Sequence, residues 1–233
     1  MPTLEENRFW DKYEWPLDGD EWTDQAAFCG MAYPVWKQDI VDAFIIPCVD
    51  ANSTALEIAM GHGRWTPFLA QRARRYIGVD FSPSCVQFCR ERFRDLPNVD
   101  FHLTDGRTIS LIASGSIQFI WSFDSFVHIE PDVTESYMAE FARVLSPGGR
   151  CSIHHPGTPS SEQQLHGGRS ELNAHLFARI AKANGLRVVS QRDKWGPGER
   201  SNTRLFADCI STIEKPSVSS GGRRSSIAPL NGL

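Results

Sequence analysis

From Ala55 onward the chain alternates short apolar runs that read as strands with amphipathic runs that read as helices, and nothing else in it limits the fold so tightly. Strands are expected at Ala55–Ala59, Tyr76–Val79, Val99–Leu103, Ile117–Ser122 and Cys151–His155, then at Arg187–Gln191 and Leu205–Thr212. Helices are expected at Trp65–Arg74, Ser84–Arg94, Ser136–Val144 and Ser170–Ala183, the last closed by Gly185 in "NGL". "PGG" at 147–149 is read as the turn into the fifth strand. Strands that alternate with helices predict a parallel sheet covered on both faces, a doubly wound α/β domain.

The flanks differ from this core. Residues 1–50 carry four of the seven tryptophans among many acids, and the spacing of Val35, Trp36, Ile40, Val41, Phe44 and Ile45 predicts a helix from about Pro34 to Ile46. This segment is read as an aromatic-rich lid, residues 51–215 as the folded domain, and the Ser/Gly-rich residues 216–233 as a disordered tail. A net charge of -4 argues against a dedicated nucleic-acid binder, which needs a basic face. "QRARR" is assigned to the solvated face of the first core helix. No apolar run is long enough to cross a bilayer, and "MPTLEENRFW" lacks the apolar centre of a signal peptide. The six cysteines form no CxxC pair, and Cys85 and Cys89 alone are too few for zinc. Reduced thiols in a cytoplasmic protein are therefore expected.

In a doubly wound sheet, ligands bind beyond the carboxyl ends of the strands. The first such loop reads "LEIAMGHGRW", residues 56–65, where glycines allow backbone to approach a ligand closely. A dinucleotide fingerprint would need a third glycine where Thr66 stands, and Trp65 would crowd the pyrophosphate. No Gly-Lys-Ser/Thr follows, so a P-loop fails as well. A ligand without phosphates fits better.

On these residues the chain resembles the class I S-adenosylmethionine-dependent methyltransferases. Their first motif, E/DxGxGxG, is matched by Glu57, Ala59, Gly61 and Gly63, with alanine in place of the first glycine. Asp80 in "YIGVDFSP" stands at the end of the second strand, and Asp105 in "VDFHLTDGRTI" follows the third. "RVLSPGGR" before the fifth strand is a further shared feature, so the likeness runs from about Asn52 to Lys215. It implies a Rossmann-like sheet of seven strands, mostly parallel, with the last antiparallel. S-adenosylmethionine is the implied cofactor, with Glu57, Ala59, Gly61, Gly63, Asp80, Phe81, Asp105, Gly106 and Ser122 expected around it. Within that set Asp80 is assigned to the ribose hydroxyls, which a carboxylate accepts well, and Asp105 to the adenine amino group. Three acids at successive strand tips are harder to explain as helix caps, although Asp80 before "FSPSC" suits a cap too.

A hydroxyl acceptor needs a base near the transferred methyl, and bases are sought after strands four and five. "WSFDSFVHIEPD" offers Asp124 and His128, which share a face if a helical turn forms, and "CSIHHPGT" offers His154 and His155 on opposite sides of a strand. His128 is the first candidate base, Asp124 its orienting or substrate-binding partner, and His154 a second catalytic candidate. Tyr13, Trp15, Trp22, Tyr33 and His155 are assigned to substrate, the aromatics suiting sugars or cations. No metal is expected. The expectation is methyl transfer to a hydroxyl of a small, sugar-like or natural-product-like molecule, with neither nucleic acid nor membrane as partner. An N-methyltransferase of a small amine and a non-catalytic cofactor-binding subunit are the alternatives, and a homodimer is one open arrangement.

Overall fold

The computed structural model describes residue 13, residues 22–161 and residues 168–217. Trp15, the segment 162–167 of the long loop before the last helix, and residues 218–233 of the tail lie outside the described residues.

Thr23–Phe28 (α1) leads into Tyr33–Ile40 (α2), which continues through a π-helical turn, Val41–Ile45, where one continuous helix was expected. The core then runs Thr54–Ile58 (β1), Thr66–Ala70 (α3), Arg75–Asp80 (β2), Pro83–Arg92 (α4), Val99–Leu103 (β3), Ile117–Ser122 (β4), Pro131–Val144 (α5) and Leu145–Pro156 (β5). Ala174–Ala183 (α6), Arg187–Arg192 (β6), the ribbon Lys194–Trp195 (β7) with Ser201–Asn202 (β8), and Asp208–Glu214 (β9) complete it. The seven-stranded sheet has the order β3-β2-β1-β4-β5-β9-β6, with β9 antiparallel to both of its neighbours and the other pairings parallel, as the resemblance implies.

Alternation along the buried strands sends side chains to two separate cores. Ala55, Tyr76, Phe119 and Trp121 pack with Trp22, Trp36, Ile40, Phe44, Leu69 and Val86 on one face. Leu56, Ile58, Ile77, Val79 and Ile120 pack with Met138, Phe141, Phe177 and Ile180, from α5 and α6, on the other. The described part of the N-terminal segment is therefore a layer of the first core, and its Trp22 and Trp36 are 6% and 0% exposed. Asp39 fixes it to the ribbon, accepting from Arg200 Nε and a second guanidinium nitrogen, each at 2.8 Å, and from Ser201 Oγ at 2.6 Å.

Local chemistry moves several boundaries. The first core helix stops at Ala70 because Asn98 Nδ2 takes the carbonyls of Ala70 and Ala73, at 2.8 and 3.0 Å, so "QRARR" lies mostly in the turn that follows. The last helix starts at Ala174 because Asn173 Oδ1 accepts from the Leu176 amide at 3.1 Å. "PGG" is part of β5: the Gly148 amide donates to the Lys215 carbonyl and the Lys215 amide to Gly149, so the chain after β9 keeps the segment extended. The final strand begins at Asp208, since Leu205 lies in a 3-10 turn and Ala207 is left-handed at φ 58°. Among the described residues no helix is long and apolar enough to cross a membrane.

Candidate functional site

Left-handed backbone recurs at alternate positions after β1: Ala59 at φ 53°, Gly61 at 54° and Gly63 at 81°. An alanine in this region carries a steric cost that glycine escapes. Beneath the loop, Glu57 is buried and its Oε2 accepts from Tyr76 at 2.6 Å and from Thr66 Oγ1 at 3.1 Å, tying β1 to β2 and α3. Burial pushes its carboxyl up to about 7, against the two hydroxyl donors that favour the charged form. Gly63 allows close packing: a Cβ there would lie 2.5 Å from Phe93 Cε2 and 3.1 Å from Thr66 Oγ1.

Asp80, at the carboxyl end of β2, accepts from the Gly61 amide and the Ser82 amide, each at 2.9 Å. A carboxylate has about four lone-pair sites, so these two bonds brace the loop without exhausting the group. Capping of α4 falls instead to Ser82, whose Oγ accepts from the Cys85 amide. Phe81 is half-buried beside Asp80. Asp105 is exposed and organises its own turn, accepting from the amides of Arg107 and Thr108 at 2.9 and 2.6 Å, with Gly106 left-handed at φ 76°. Ser122 is committed elsewhere: its buried hydroxyl donates to the Ile58 carbonyl at 2.9 Å, stitching β4 to the start of the glycine loop.

The opposite wall corrects the sequence reading most. No helical turn joins Asp124 to His128, because Asp124 is left-handed at φ 70°. Its carboxylate instead accepts from Trp22 Nε1 at 2.6 Å and stands 3.7 Å from Arg64. Its amide donates to His154 Nδ1 at 3.2 Å. That bond spends the only lone pair of a neutral imidazole and leaves the proton on Nε2, so His154 is unsuited to act as the base. The ring is completely buried, stacked on Phe123 at 4.2 Å and met edge-on by Trp22 at 5.1 Å. His155 leaves the site altogether: it stacks on Phe177 of α6 at 4.1 Å, pairs with the Pro156 carbonyl and Ser211 Oγ, and is driven down to about 3 by burial. It is a neutral core residue, not a substrate ligand.

His128 is half-buried, with Nδ1 3.0 Å from the Gly168 carbonyl oxygen. A carbonyl only accepts, so Nδ1 carries the proton and Nε2 the lone pair. Tyr33 is half-buried and stacks on Trp36 at 6.0 Å, while Trp36 lies parallel to Trp22 at 5.7 Å; Tyr13 is half-buried. Among the described residues no group of His, Cys, Asp or Glu is arranged to hold a metal.

Sequence reasoning missed Arg64, Phe206, Arg169 and Asp208. Phe206 meets Trp22 edge-on at 5.1 Å, and Asp208, 1% exposed, contacts both Arg169 and His154. The misplaced start of β9 hid Asp208, because an acid inside an expected strand does not point to a site. A phosphate-free ligand suits what is present: Trp65, 2% exposed, packs on Trp121 and Phe123 before a helix of only five residues, where a pyrophosphate would have to sit.

Comparison with known proteins agrees with this geometry. Residues 55–149 match a family model described as a methyltransferase domain. Phosphoethanolamine N-methyltransferase 1 of Caenorhabditis elegans is 24% identical over 79% of this chain and 39% of its own length. Methyltransferase GfsG of Streptomyces halstedii is 32% identical over 45% and 38%. The chain thus spans about two fifths of the length of these curated relatives. Geranyl diphosphate C-methyltransferase from Streptomyces coelicolor A3(2), solved with S-adenosyl-L-homocysteine, shares the fold with a TM-score of 0.68, at 16% identity over 94% of this chain and 99% of that one. The glycine loop, the strand order and the methyltransferase domain matched over residues 55–149 together support the class I S-adenosylmethionine-dependent methyltransferase superfamily, with S-adenosylmethionine as the cofactor.

Proposed function

We propose that this protein methylates a hydroxyl group of a small molecule, using His128 as the general base. The observation that carries the reading is the His128 tautomer, whose Nδ1–H is held by the Gly168 carbonyl so that Nε2 presents a lone pair. Bound S-adenosylmethionine supplies a sulfonium-activated methyl, so the chain's task is mainly alignment. His128 Nε2 takes the acceptor's proton as its oxygen becomes the nucleophile. Gly61 and Gly63 clear backbone for the amino-acid end of the cofactor above Glu57, with Ala59 taking the place of the first glycine and Ser122 bracing the loop from β4. Asp80 accepts from the ribose hydroxyls beside Phe81, and Asp105 with Gly106 meets the adenine amino group. Asp124, Trp22, Tyr33 and Tyr13 border the acceptor.

The test is transfer of labelled methyl to a panel containing a phenol, a sugar, geranyl diphosphate and phosphoethanolamine. Label on a hydroxyl, lost in His128→Ala, supports the reading; label on the amine alone overturns it. That second outcome has its own support, since Asp124 presents a carboxylate beside the Trp22 ring, a pairing that suits an ammonium group, and one relative is a phosphoethanolamine N-methyltransferase. Cofactor binding without any turnover would favour a regulatory subunit.

A further inference from the structure

We propose that Asp208 is a positioning residue that sets the wall of the acceptor site by fixing the tautomer of His154 and, through it, the backbone of Asp124. The inference rests on the proposal that Asp124 borders the acceptor, but its physical content does not depend on which acceptor is used.

Four contacts form a chain across the sheet's carboxyl end. Arg169 contacts Asp208 Oδ1. Asp208 Oδ2 lies 3.4 Å from His154 Nε2, His154 Nδ1 takes the Asp124 amide at 3.2 Å, and Asp124 Oδ2 takes Trp22 Nε1 at 2.6 Å. The separation of 3.4 Å is longer than a well-aligned hydrogen bond, and the two facing atoms, both buried, have no other hydrogen-bond partner among the described residues. Among the described residues, each therefore depends on the other for a favourable polar contact. Asp208 and His154 are 1% and 0% exposed, so water does not compete.

The direction of the chain follows from donors and acceptors. An amide N–H can only donate, so His154 Nδ1 must be bare and Nε2 must carry the proton. A carboxylate opposite Nε2 rewards that tautomer, and Arg169 holds the carboxylate's other oxygen. The left-handed backbone of Asp124 is costly for a residue with a side chain, and its amide bond to His154 is one contact that holds it. Asp208 thus acts at two removes from the Asp124 carboxylate, and it does so by choosing where one proton sits.

Asp208→Asn separates this role from simple stability because it is isosteric. Arg169 would claim the amide oxygen, which turns the NH2 group toward Nε2 and makes Nε2 the acceptor. Nδ1–H would then face the Asp124 N–H, and that bond would break. Nitrogen-15 shifts of His154 and hydrogen exchange of the Asp124 amide read this directly, in full-length protein with no acceptor present. Wild type is expected to show a bare Nδ1 and a protonated Nε2. In Asp208→Asn the two nitrogens exchange character, and Asp124 exchange rises at least tenfold relative to neighbouring β5 amides. His154→Asn keeps an oxygen acceptor near the place of Nδ1, so it restores Asp124 protection, and adding Asp208→Asn to it changes exchange less than twofold. A bare Nε2 in wild type overturns the proposal even if the Asp208 variant fails to fold. So does unchanged Asp124 exchange in Asp208→Asn, or a uniform rise across β5 and β9. Failure of every acceptor in the panel would remove the hydroxyl-transfer reading and leave these measurements standing.

Discussion

Replacing Gly63 by alanine tests the packing of the cofactor loop with a magnitude that can be worked from the structure. Two costs combine. Gly63 sits at φ 81°, where a residue with a Cβ is disfavoured by roughly 1–2 kcal/mol. The new methyl would also lie 2.5 and 2.9 Å from Phe93 Cε2 and Cζ, and 3.1 Å from Thr66 Oγ1. Phe93 cannot swing aside cheaply, since its buried ring stacks on Phe101 at 5.9 Å with the Arg92 guanidinium 5.2 Å from its centre. Overpacking of this kind adds about 1–3 kcal/mol, for a total of roughly 2–5 kcal/mol. Gly115→Ala is the matched control: φ is 66° but nothing lies within 4 Å of the place the new methyl would take, so only the backbone cost of ~1–2 kcal/mol remains. Urea unfolding of both variants isolates the contact. Gly63→Ala should also bind S-adenosylhomocysteine more weakly by calorimetry, because Thr66 anchors Glu57 under the loop. If the two variants lose equal stability, the close approach at Gly63 is not what the loop requires.

Asp80→Ala should weaken cofactor affinity by at least tenfold in calorimetry, since it removes both the proposed ribose ligand and the brace on Gly61; unchanged affinity would remove both roles. His128→Ala should slow hydroxyl methylation by about 10²–10⁴-fold, while a near-wild-type rate would return His128 to packing. Glu57 gives stability a pH dependence of defined sign. Its folded pKa, about 7, lies above the ordinary 4.5, so the folded state holds the extra proton between these values and stability falls as pH rises through that window. At ~1.4 kcal/mol per pH unit the span is at most about 3 kcal/mol, and Glu57→Gln should flatten it in urea titrations at pH 5 and pH 8. Asp39→Ala should lower the melting temperature, because it leaves Arg200 and Ser201 without the carboxylate that ties α2 to the ribbon; an unchanged melting temperature would mean that this tie adds nothing.

The sheet was readable wherever strand character was local. Val99–Leu103 and Ile117–Ser122 are apolar or alternating runs bounded by polar turns, and both fall where the pattern puts them. Boundaries set by partners distant in sequence were not readable: Asn98 ends α3, and Lys215 keeps "PGG" in β5. The same distinction divides the site. The proposed cofactor side was legible because Glu57, Asp80 and Asp105 stand at or just past the tips of successive strands, at spacings that the chain itself records. The proposed acceptor wall is built from Trp22, Arg64, Asp124, His154, Arg169 and Asp208, which lie far apart in sequence and meet only through the fold.

The histidines show why residue type alone could not assign that wall. In the sequence His128 was the first candidate base, His154 a second and His155 a substrate ligand, and each has a different set of partners at its ring nitrogens. A carbonyl at Nδ1 leaves His128 with a lone pair on Nε2. A backbone amide at Nδ1 reverses the arrangement in His154 and turns its N–H toward Asp208. His155 shares the tautomer of His128, but its Nε2 is taken by Ser211 and its ring is sealed against Phe177. Neighbouring atoms thus separate the proposed base, the proposed link to the Asp124 backbone and a core residue. Changing that neighbour, as Asp208→Asn does, should change the role while leaving the histidine in place.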